Sequence, residues 1–91
     1  MDDTTREAVA LMYEYKLLLP WDSQRYNLTY RGLRLVEELL DQPEFREVYT
    51  RMIHDDIPAP LARLTVLLGA LRTAVETRTL PPLLQDGVET P

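Results

Sequence analysis

Prolines punctuate this chain at helix-length intervals, and that spacing limits its fold more than any other feature. Pro20, Pro43, Pro58, Pro60, Pro81 and Pro82 lack a backbone N–H and are tolerated in a helix only in its first turn. Long stretches between them carry apolar residues at the helical period of 3.6 rather than the strand period of 2. The expected fold is therefore mainly α, a four-helix single domain. The length of 91 residues fits one domain with one core.

Thr4 followed by Glu7 predicts a capping box at the head of the first helix, expected to run to about Leu19. Ala8, Val9, Leu11, Met12, Tyr13, Tyr15, Leu17, Leu18 and Leu19 cover most of its circumference. A helix this apolar is central in a core or covered by a partner. Residues 20–24 read as a turn and Arg25–Leu28 as extended chain. Two alternatives stand equal there: a short β-hairpin across 17–28 and a plain helix-to-helix loop. Thr29 is the expected N-cap of the second helix, to about Leu40, with Leu33, Val36, Leu39 and Leu40 as its apolar stripe. Gly32 inside it costs helix propensity and marks a close backbone approach.

Asp41, Pro43 and Glu44 signal a third helix, whose Phe45, Val48, Tyr49, Met52 and Ile53 form the cleanest amphipathic pattern in the chain. Asp56 or the prolines after it open the fourth, expected to about Arg78. Its Leu61, Leu64, Leu68, Leu71 and Val75 alternate by three and four. That spacing suits either a helix–helix dimerisation seam or the spine of the monomer core. The helical domain is expected over 1–80, followed by a loose tail over 81–91 in which Leu83 and Leu84 could dock.

Composition removes several kinds of function. With no cysteine there is no disulfide or thiolate metal site, and the single histidine, His54, leaves little for a nitrogen-rich one. No metal or cofactor is expected. The formal charge of −5 opposes non-specific attraction to nucleic acid and to anionic lipid. No apolar run approaches the ~18 residues that span a bilayer, and the N-terminus lacks a signal-peptide core, so a cytoplasmic protein without a membrane role is expected. Gly32, Gly69 and Gly87 are too scattered to cradle a phosphate, and Ser23 has no base beside it. His54-Asp55 reads as a helix end with a cation near its negative pole. Glu37, Glu38, Asp41, Glu44 and Glu47 read as a solvated acidic face. No acid, base, nucleophile and pocket can be assembled from these residues, and an enzyme is not expected.

The segment from Arg25 to Arg34 carries three further residues of note, Tyr26, Tyr30 and Arg31, and no acid lies between Asp22 and Glu37. Arginine and aromatic side chains dominate the energetics of protein contacts. Trp21, Arg25, Tyr26, Tyr30, Arg31 and Arg34 are accordingly the expected partner-binding residues. The leading expectation is a small regulator or inhibitor that occupies the surface of a protein partner, as phage and mobile-element products do. A homodimer through the seam of the last helix is the second association expected.

The same segment resembles a known family. Tyr26-x-Leu28-Thr29-x-x-Gly32, followed by Leu35, Val36 and Leu39, is similar to the wing strand and following helix of winged-helix regulators. The resemblance covers about residues 6–40. It implies that the first helix stands at the recognition-helix position, with 17–28 as the wing. It further implies a DNA-binding transcriptional regulator, with Arg25 and Arg31 near the wing as the DNA-contacting residues.

Overall fold

A computed structural model describes residues 1–19 and 27–85. It is mainly helical, with α1 (Asp3–Glu14), α2 (Tyr30–Leu39), α3 (Pro43–His54), α4 (Ala59–Thr77) and a single turn, α5 (Pro82–Gln85).

The first helix differs from expectation at both ends. Its N-cap is Asp2, whose Oδ1 accepts from the Thr5 backbone N–H at 2.9 Å, so the expected Thr4–Glu7 box does not form the cap. At the other end α1 stops at Glu14 rather than Leu19. Lys16 takes a left-handed φ of 56°. The Leu17 N–H then donates back to the Met12 carbonyl at 2.8 Å and the Lys16 N–H to Tyr13 at 3.1 Å. This doubly bonded closure satisfies carbonyls the helix would otherwise leave bare. Glycine ordinarily supplies the left-handed residue; a lysine there gives no stop signal in the sequence.

Leu17–Leu19 leave the helix as extended chain. Leu18 and Leu28 face each other in an isolated antiparallel bridge, flanked by Thr29 N–H to Leu17 O at 2.9 Å and Leu19 N–H to Asn27 O at 3.2 Å. No named strand occurs among the described residues, and the turn of the expected 17–28 hairpin lies outside them. Leu17 and Leu18 are buried, as are Ala8 and Met12 of α1. Much of the apolar surface assigned to an over-long first helix thus enters the core through this extended stretch and needs no partner to cover it.

Thr29 caps α2 as its sequence predicts. Its Oγ1 accepts from the Gly32 N–H at 3.0 Å and donates to the Lys16 carbonyl at 2.6 Å. The head of α2 is thereby fastened to the end of α1. Gly32 is what permits the approach: a Cβ there would collide with the Leu17 carbonyl oxygen and crowd the Leu28 Cβ at 3.2 Å.

α4 is the spine of the fold. It packs against α1, α2 and α3, and buries Ala62, Val66, Leu67, Ala70, Leu71 and Ala74. Asp2 also reaches Arg72 of α4, 3.7 Å between Oδ2 and Nη2. α3 lies at the periphery: Phe45, Tyr49 and Met52 lean on the core, while Val48 and Ile53 remain exposed. Asp56 closes α3 as Lys16 closes α1, with φ 65° and an Ile57 N–H to Met52 O bond of 2.9 Å. α4 ends on Arg78 at φ 57°. The expected loose tail from 81 gives way at its start, because Pro82 begins α5 and Leu84 is buried in the core. The remainder of that tail, 86–91, lies outside the described residues.

Candidate functional site

Two surfaces can be built from the described residues, one at each end of α2.

At its head stand Tyr30, Arg31 and Arg34. Tyr30 is 77% exposed, the most open aromatic side chain among the described residues. Arg34 follows it by four residues, on the same helical face, and is exposed; Arg31, one residue on, is half-buried. The first turn of α2 holds no acid, and among the described residues neither arginine pairs with a carboxylate. A cation in the first turn opposes the helix dipole, so helix stability does not account for Arg31. Of the six residues expected to bind a partner, these three lie in the first two turns of α2. Trp21, Arg25 and Tyr26 lie outside the described residues.

At the tail of α2, a trough of about 240 Å³ opens between α2, the start of α3, the end of α4 and the segment after it. Leu35, Leu39, Ala70 and Ala74 form its buried floor, and Phe45, Leu80 and Pro81 stand along it. Glu38 is the one ionisable side chain among its described lining residues; Gln42, Thr73 and Thr79 add neutral polar groups. By sequence Glu38 belongs to the acidic face, and nothing local joins it to Ala70 and Ala74. Residues 79–82 complete the trough from far along the chain.

The expected dimerisation seam of α4 is buried at its centre and partly exposed along the rest of its length. Leu71 is 0% exposed, and Leu64, Leu68 and Val75 pack against the core cluster around it. Leu61, at the start of the row, is half-buried. Leu71 serves the core of the single chain, in which α4 packs against α1, α2 and α3. Nδ1 of His54 lies 3.6 Å from Asp55 Oδ1, with both side chains largely exposed. Among the described residues no group of histidines and carboxylates could hold a metal ion. Among the described residues, the one displaced acidity is at Asp2. Hydrogen bonds from Thr5 hold its carboxyl below the ordinary value, side chain first and backbone second, and Arg72 adds a weaker pull.

No family model, characterised protein or solved structure matches this chain. No described helix is long and apolar enough to cross a membrane.

Proposed function

We propose that this chain is a small non-enzymatic interaction protein, a regulator or inhibitor that acts by occupying the surface of a protein partner. Products of phages and mobile elements commonly work this way. The observation that carries the reading is the 77% exposure of Tyr30 at the fastened head of α2. An aromatic ring left in water there, beside Arg31 and Arg34, costs the free protein solvation and returns nothing to its core. Tyrosine and arginine are the side chains that most often anchor protein contacts. The Thr29 bonds to Lys16 and Gly32 hold the patch in place before binding, which lowers the ordering cost of association. Trp21, Arg25 and Tyr26 belong to the same proposed contact by sequence.

The test is affinity capture from lysate with and without nuclease, followed by titration of the identified partner with Tyr30→Ala, Arg31→Ala and Arg34→Ala. Loss of one anchor is expected to weaken binding by about 30-fold, as for a contact worth about 2 kcal/mol. The reading is overturned if the triple variant, folded, binds as the parent does.

A second reading rests on the bridge that leads directly into α2, the order of elements in a wing and its following helix. A winged-helix DNA-binding regulator would place Arg31 on a phosphate. It requires salt-sensitive duplex binding lost on Arg31→Ala, and the net charge of −5 works against it.

A further inference from the structure

We propose that the trough at the tail of α2 is a binding site for a small cationic amphiphile, its apolar body seated on Ala70 and Ala74 and its ammonium group at Glu38. The inference is independent of the patch at the head of α2.

The floor is fully apolar and already formed: Leu35, Leu39, Ala70 and Ala74 are buried by their own neighbours. Alanine at 70 and 74, one helical turn apart, is what leaves the space open; a leucine at either position would fill much of it. Pro81 and Pro82 fix the wall opposite, since their rings lock the backbone φ. A volume of about 240 Å³ lies below the ~300–1,000 Å³ range of sites for drug-sized ligands. It suits a single ring or a short alkyl chain.

Charge decides the class of ligand. An ionised carboxylate only accepts hydrogen bonds, and Glu38 has no ion-pair partner among the described residues. An ammonium group supplies three donors and the complementary charge. An anion would face Glu38 directly, whereas a cation adds an ion pair with its solvent-exposed carboxylate. Gln42, Thr73 and Thr79 line the same trough and can accept the remaining donors.

The probes are phenethylamine, its neutral N-acetyl derivative and the anion 3-phenylpropionate, titrated into the full chain and followed by amide chemical shifts. Saturable shifts are expected for phenethylamine at Leu39, Ala70, Ala74 and Leu80. Glu38→Gln is expected to weaken the amine about fivefold, as for a partly solvated ion pair, and to leave the neutral analogue unchanged. Ala74→Leu is expected to abolish the shifts; should it fail to fold, Ala70→Val serves the same purpose with less added volume. Non-saturating shifts, shifts centred elsewhere, or equal binding of the anion would overturn the proposal.

Discussion

Replacing Gly32 with alanine tests the central joint of the fold, because two opposing effects can be weighed there. Alanine is favoured over glycine in a helix interior by about 1 kcal/mol, so propensity alone predicts a more stable protein. Against this, the new Cβ would collide with the Leu17 carbonyl oxygen and lie 3.1 Å from its carbonyl carbon. The obstacle is backbone and cannot swing aside like a side-chain tip. Overpacking of this kind costs about 1–3 kcal/mol. Moving α2 away also stretches the Thr29 hydroxyl bond to Lys16 and the Thr29 N–H bond to Leu17, each worth about 1 kcal/mol. The balance is a net loss of about 1–3 kcal/mol, or a fall in Tm of about 4–8 °C per kcal/mol for a domain of this size.

Gly69 is the internal control. It lies within α4, and a Cβ there meets nothing within 4 Å, so Gly69→Ala is expected to stabilise by about 0.5–1 kcal/mol. Chemical denaturation of both variants, monitored by far-UV circular dichroism, gives the comparison. If Gly32→Ala proves as stable as the parent, α1 and α2 do not meet as described.

Two further outcomes follow from the core and the N-terminus. Leu71→Ala is expected to destabilise by about 2–5 kcal/mol, because the residue is fully enclosed; a loss under about 1 kcal/mol, measured by chemical denaturation, would refute its place in the core. Asp2 has a depressed folded pKa, so its contribution to stability is fully present above its ordinary pKa and is lost as pH falls through the lower folded value. Asp2→Asn is therefore expected to be less stable than the parent at neutral pH and to converge with it in acid. A constant gap between the two acid-unfolding curves would show that the Thr5 hydrogen bonds do not depend on the charge.

Where the sequence was legible, the relevant signal was local. Thr29 and Gly32 announced the head of α2, and Pro43 the start of α3, because capping and proline chemistry act within one turn. The end of α1 was not legible, since Lys16 takes a conformation its type does not advertise. Asp56 and Arg78 do the same at α3 and α4, while two of the glycines, Gly32 and Gly69, sit inside helices. The row from Leu61 to Val75 was ambiguous for a different reason. Apolar residues spaced by three and four serve a helix surrounded by its own chain as well as one facing a second copy, and only burial separates the two. Of the patch at the head of α2, the exposure of Tyr30 could not be read from its type, because tyrosine is as common half-inside as outside. The trough was hidden by its non-local wall.

The fastening between Lys16–Leu19 and Asn27–Thr29 also bears on how such a chain changes over generations. Three hydrogen bonds close a neck there, so the core receives the chain at the same two points whatever is threaded between them. Doubling the length of a flexible loop costs only ~0.6 kcal/mol of closure entropy, less than any of the core substitutions considered above. A change in the number of residues that join Leu19 to Asn27 is therefore expected to leave the helices in their places. Changes beside Tyr30 can thus arise without the fold having to be found again.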